Sequence, residues 1–305
     1  MVVGIDPKVD YAFKRVFGDE RNTDILVSLI NAILRLPEPI VSVELLNPFN
    51  PKDYEEDKLS VLDIKARDDS GRLINIEMQM LLPYHFRSRI LYYWAGLYRQ
   101  QLHEGDDYGE LRPTISICLV NEVLFPQTDD YLLSFTLLDR QQDLCFSEDL
   151  QIHVLEMPKF QRRLEELTSP LDEWLYFLQN AATMDPDRLP RQLANPTYHR
   201  TMKELSMLTQ DELDRERYES RLKAIRDYRS SIKGALQQGM KEGIEQGIEQ
   251  GIEQGIEKGD LIGRIHLCEE QLRRPMTSGD DLRGLPVDEL RRLAADLTAE
   301  LFGPK

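Results

Sequence analysis

The chain has 305 residues, 41% of them hydrophobic and 30% charged, with 54 acidic against 38 basic side chains and a formal net charge of −16. That balance excludes a broadly basic surface holding nucleic acid without regard to sequence, although a local basic cleft remains compatible with it. No apolar run approaches the ~20 residues needed to cross a bilayer, the first residues lack a signal peptide's basic and apolar regions, and three scattered cysteines suit neither a disulfide framework nor structural zinc, so a cytoplasmic protein without membrane contact is expected.

The first element is helical: Phe13, Val16 and Phe17 share one face of the segment from Asp10 to Phe17. A second apolar run from Asp24 to Leu36 keeps the helical period and stops before Pro37 and Pro39. Residues 40–46 read as a strand, followed by a loop rich in proline and asparagine through Pro51.

Ser60–Lys65 and Ile74–Gln79 then alternate apolar and polar residues, the period-2 pattern of half-buried strands. Between them Asp69-Ser70-Gly71 suits a three-residue hairpin loop, with Gly71 in the left-handed position. That loop fixes the register: 68 faces 72, 65 faces 75 and 63 faces 77. Asp63 is therefore expected opposite Glu77, on the face that carries Lys65, Asn75 and Gln79. Carboxylates so paired lie roughly 5 Å apart at Cβ and destabilise a sheet.

Two readings of this pair stand side by side. In one, a hard divalent cation sits between the acids, with the Met78 backbone carbonyl as a third ligand; Mg²⁺ takes one or two protein carboxylates and fills its remaining positions with water and phosphate. Such an ion would generate a nucleophilic water near neutral pH. In the other, the hairpin presents a solvated polar face on which Lys65 neutralises both acids.

A helical pattern follows from Phe86 to Leu102, bearing Arg87, Arg89, Tyr92, Tyr93, Trp94 and Tyr98. The arginines suit phosphate oxygens; the aromatics read as core. Thr114–Val120 is a nearly continuous β-rich run, as in a strand covered on both faces. Further strands are expected at residues 131–138 and 150–155. From about Arg162 onward the patterns are helical, including 173–182 and 202–232. The order of elements predicts a mixed sheet with helices packed on it.

From Gly239 to Gly259 a glycine recurs every fourth residue, mostly as Gly-Ile-Glu-Gln. If helical, the stretch offers Ile244, Ile248, Ile252 and Ile256 as a self-association seam. Glycine costs ~1 kcal/mol per residue inside a helix, so a flexible spacer is the alternative. Residues 261–272 and 288–301 read as amphipathic helices around a turn-like stretch from Pro275 to Pro286.

Several of these motifs, taken in order, resemble the PD-(D/E)XK nuclease superfamily, and within it the Rpn recombination-promoting nucleases, also described as PD-(D/E)XK family transposases. The resemblance rests on the opening from Asp6 to Phe17, Leu62-Asp63-Ile64-Lys65, Asn75-Ile76-Glu77-Met78-Gln79, Tyr92-Tyr93 with Gly105–Tyr108, the strand Thr114–Val120, and Leu155–Lys159. It covers roughly residues 5 to 180, and the glycine-spaced tail is also similar.

What the resemblance implies is a restriction-endonuclease-like α/β core, a mixed β-sheet flanked by helices with a helical C-terminal extension, and Mg²⁺-dependent DNA cleavage with Mn²⁺ as a substitute. Asp63 and Glu77 would be metal ligands. Gln79 would stand where the superfamily carries lysine, leaving Lys65 to supply the charge. Leu62 replaces the proline of the family name, a position that supplies no ligand. Asp10 would complete the metal shell from the first helix, and Lys14, Arg87 and Arg89 would contact DNA. The expected organisation is a core at 1–160, a helical extension at 161–236, the repeat at 237–260 and amphipathic helices at 261–305. A homodimer through the C-terminal helices would let two sites cut both strands. The rival expectations are an RNA nuclease, or a decayed nuclease fold that binds DNA or protein.

Overall fold

The computed structural model describes residues 2–50 and 60–303 of the chain. Two compact units emerge, residues 1–226 and 227–305.

In the first unit, α1 (Asp10–Phe17) and α2 (Thr23–Leu34) precede β1 (Val43–Leu46). A two-residue strand β2 (Phe49–Asn50) pairs with β3 (Ser60–Val61) where the sequence suggests only loop, and Pro51, the expected end of that loop, lies outside the described residues. The hairpin follows as β4 (Ile64–Asp68) and β5 (Leu73–Gln79), then α3 (Phe86–Arg99), β6 (Thr114–Val120), β7 (Leu132–Leu138) and β8 (Cys145–Glu156). Helices α4 (Pro170–Asn180) and α5 (Pro196–Gln210) come next, and α6 begins at Glu212. The six-stranded sheet has the order β1-β4-β5-β6-β8-β7, with β5, β6 and β8 parallel and the other neighbours antiparallel. This is the mixed sheet that the element order predicts.

Alternation along the central strands separates two layers. Ile74, Ile76, Met78, Ile115, Ile117 and Leu119 join the large core with Phe13 and Phe17 of α1, Leu29 of α2 and Trp174 of α4. On the opposite face Phe86 and Ile90 of α3 pack with Cys118, Val120, Ile152 and Val154. Every residue of β6 is buried, as its unbroken apolar run requires.

The hairpin register agrees with the sequence reading. Lys65 pairs with Asn75, Asp68 donates its backbone N–H to the Arg72 carbonyl at 3.1 Å, and Gly71 has φ +84°, a conformation a side chain would strain. The ladder ends at Ile64 opposite Ile76, one residue before Asp63.

At the carboxyl end of β8, Glu156 is fully buried. Its Oε1 accepts the backbone N–H groups of Leu124 and, at 2.7 Å, Phe125; its partner Lys159 donates to the Phe125 carbonyl at 2.8 Å. The Leu155–Lys159 motif thus clasps the loop between β6 and β7.

Helix α6 is continuous to Gln271, so the Gly-x-x-x repeat is helical rather than a spacer, and its four isoleucines are all exposed. The second unit gathers Leu261, Ile265 and Cys268 of α6 with Leu282 of α7 (Gly279–Gly284) and Leu290, Ala294 and Leu297 of α8 (Val287–Phe302). Among the described residues no helix is long and apolar enough to cross a membrane.

Candidate active site

Asp63 and Glu77 do meet, but not as an ordinary cross-strand pair. Because β4 begins at Ile64, Asp63 is free to turn its carboxylate across the hairpin. Its Oδ2 accepts the Met78 backbone N–H at 2.9 Å, and its own N–H approaches Glu77 Oε1 at 3.4 Å. The Asp63 Oδ1 faces the Lys14 ammonium at 2.8 Å. Two strand ends and α1 thereby fix one carboxylate.

Glu77 lies deeper, only 1% exposed. Burial, and secondarily the negative charge of Asp63, push its carboxyl up to about 8, while the positive charge of Arg89 acts against both. The Gln79 side-chain amide, two residues along on the same face, donates to Glu77 Oε2 at 3.2 Å.

The remaining predicted site residues distribute as follows. Lys65 is not gathered with the acids: its ammonium donates to Gln100 Oε1 at 2.8 Å and lines a separate hollow with Arg67, Gln101 and Arg112. It shares a face with Asp63 in the strand pattern, but its long stem carries the charge toward the end of α3. Arg89 is turned inward, its guanidinium 5.6 Å from the Tyr93 ring centroid and acting on Glu77. Arg87 is exposed and stands over the Phe125 ring at 5.1 Å. Asp10 lines a hollow of about 250 Å³ together with Asp63, Met78, Gln79 and Arg221.

Arg221 is the residue that sequence reasoning missed. The first turns of α6 lie against α1 through a series of ties: Asp214 with Tyr11 and Arg15, the Tyr218 hydroxyl with the Asp6 N–H, and Arg221 with Asp10. Positions 214, 218 and 221 share one helical face, and Ile225 continues it into the core. Nothing local in the sequence joins these residues to an acid pair some 150 positions earlier.

The donor set suits a hard divalent cation. Carboxylate oxygens of Asp63 and Glu77 lie beside a fixed backbone segment, and the raised pKa of Glu77, caused by burial first and by the charge of Asp63 second, is one that a bound cation would lower. Among the described residues no group of three or more His, Cys, Asp or Glu side chains is gathered at metal-binding separation. Two carboxylates are the usual complement for Mg²⁺, which keeps water in its other positions.

The model of one protein family, PD-(D/E)XK nuclease family transposase, matches residues 7–235. That span includes the hairpin, the sheet and the part of α6 that borders the hollow. No curated protein and no solved structure matches the chain.

Proposed function

Since the chain belongs to the PD-(D/E)XK nuclease family of transposases, we propose that it is a metal-dependent endonuclease hydrolysing DNA phosphodiester bonds at the Asp63–Glu77 pair. The observation that carries this reading is the juxtaposition of Asp63 with the buried Glu77 at the open end of the hairpin, where the charge of Asp63 adds to burial in disfavouring the ionised form of Glu77. Asp63 and Glu77 would hold the ion, with the Met78 carbonyl and Asp10 as further oxygen donors. Mg²⁺ is the expected ion and Mn²⁺ its substitute. When bound, it supplies Lewis-acid polarisation of the phosphate and acidification of a water.

The chain's own groups prepare the site. The Met78 N–H and Lys14 hold Asp63 in one orientation, and the Gln79 amide holds Glu77. Gln79 cannot carry charge as a lysine would, but it can orient a water or a phosphate oxygen. Lys14 supplies the cation beside the acids that Lys65, bonded to Gln100, does not. Arg89 moderates the charge of Glu77, and Arg87, exposed at the start of α3, would contact DNA. The cellular role that fits is cleavage linked to recombination, mobile elements or defence, in the cytoplasm. The chain would act as a homodimer through its C-terminal helices.

One specific observation favours a second reading, a nuclease fold retained for binding: Lys14 and the Gln79 amide already satisfy oxygens of both acids. Supercoiled plasmid and a single-stranded RNA, each with Mg²⁺ or Mn²⁺ and with EDTA, separate the readings. Metal-dependent nicking of plasmid that disappears in Asp63→Ala and Glu77→Ala supports the proposal. Nicking that persists in both variants overturns the site, RNA-only cleavage overturns the substrate, and inactivity of folded protein favours the binding module.

A further inference from the structure

The overall charge of −16 leaves open where an acidic protein would hold a polyanion beside its acid pair. Cations near the pair differ in how firmly they are engaged. Lys14 is 2.8 Å from Asp63, and Arg15 is 2.7 Å from Asp214 with a full hydrogen bond. Arg221 is the loose one. Its Nε lies 3.7 Å from Asp10 Oδ2, beyond hydrogen-bond reach, and its side chain is 63% exposed. It nonetheless lines the same hollow as Asp63 and Gln79. The ties at Asp214 and Tyr218 fix the helix that carries it, so the Arg221 backbone is anchored while its guanidinium is largely exposed and held only by the long pair with Asp10.

We propose that Arg221 is the backbone-phosphate anchor of the DNA cleft, and that Asp10 holds it in reserve until a duplex arrives. The inference rests on the nuclease reading only for the choice of duplex DNA as ligand. A guanidinium fork binds a phosphate through two parallel N–H···O bonds, which a weakly held carboxylate at 3.7 Å does not match. Phosphate therefore displaces Asp10 from Arg221, releasing the carboxylate toward the hollow it already lines. The first turns of α6 are accordingly a wall of the active site rather than an appendage to the core.

The test uses full-length protein in EDTA with a fluorescein-labelled DNA duplex of two helical turns, titrated at several salt concentrations, so that cleavage plays no part. Arg221→Ala should weaken binding about fivefold to thirtyfold and flatten the slope of log affinity against log salt by about 0.9, the signature of one lost phosphate contact. Arg221→Lys should retain most of that slope. Asp10→Asn should tighten binding about threefold to tenfold, and this gain should vanish in the Asp10→Asn/Arg221→Ala double variant. Wild-type affinity and slope in folded Arg221→Ala would overturn the proposal. So would a gain from Asp10→Asn that persists without Arg221, or a preference for single-stranded RNA over the duplex. If the binding pattern holds while the wild type fails to nick plasmid, the nuclease reading falls and the anchor stands; active enzyme with unaltered Arg221→Ala binding gives the reverse.

Discussion

Lys14 Nζ stands 2.8 Å from Asp63 Oδ1, so the first helix reaches the same carboxylate that the hairpin backbone holds through Met78. An ammonium and a divalent cation would compete for that oxygen. Lys14→Met should lower the Mn²⁺ concentration for half-saturation about twofold to fivefold, the effect of removing one partly exposed ion pair, while slowing plasmid nicking. Calorimetry on metal-free protein reads the first effect directly. Unchanged or weaker Mn²⁺ binding would show that the ammonium does not occupy the metal's place.

Glu77 should show opposite effects on stability and activity. Its folded carboxyl lies near 8 against 4.5 unperturbed, so above pH 4.5 the ionised form weighs against folding. Glu77→Gln keeps the shape and removes that charge. It should stabilise the metal-free protein by about 1–3 kcal/mol and abolish metal-dependent cleavage. Thermal unfolding in EDTA checks the first part; a lower melting temperature would contradict it.

Asp172 sets an acid limit on the first unit. Burial alone would raise its carboxyl, but hydrogen bonds from Thr168, Ser169 and Tyr131 outweigh it and hold the group at about 2 rather than 3.8. A depressed folded pKa contributes stability above the unfolded value, lost as the pH falls from about 4 to about 2. The contribution is about 2 kcal/mol. Asp172→Asn should lose stability at neutral pH and flatten the unfolding free energy across that acid window. An unaltered acid profile would remove Asp172 from the account.

The glycine repeat allows separate tests of helix and assembly. A Cβ at Gly247 or Gly251 meets nothing within 4 Å, so each Gly→Ala change should stabilise the helix by about 0.5–1 kcal/mol, seen as higher helical ellipticity on heating. Ile248 and Ile252 are exposed. Replacing both by Asp should convert a dimer to monomer in sedimentation at micromolar concentration. A wild type that sediments as a monomer, or double-Asp protein that stays dimeric, would remove this seam.

The hairpin is largely legible in the sequence, because period-2 alternation and one glycine turn determine register: Lys65 faces Asn75 as the loop length demands. The placement of Asp63 is less so. Pairing arithmetic sets it opposite Glu77, but a strand's last hydrogen bond depends on tertiary surroundings, and here the ladder stops one residue early. Lys65 on β4 and Arg89 on α3 show a related gap, since strand alternation and helical period assign a face but not the direction of a long stem. Strand β8 begins five residues earlier than its apolar run, at Cys145, because the start of the β7–β8 ribbon is exposed and has no apolar signature. Arg221 lay furthest from reach, its role depending entirely on which helix its own helix packs against.

The lateral row Gln79, Val120 and Glu156 ends three parallel strands at one level. The loops that leave the first two strands are stitched together there, Asn121 N–H to the Gln79 carbonyl and Leu82 N–H to Glu122, while the Glu156–Lys159 clasp pins the far side at Phe125. Residues 126–129 lie between Phe125 and Asp130, whose carbonyls both accept from Lys159, and form mostly exposed chain whose side chains can vary without disturbing strand ends. Exchange of that short segment would therefore leave the three strand ends, and the Asp63–Glu77 pair at the first of them, in place.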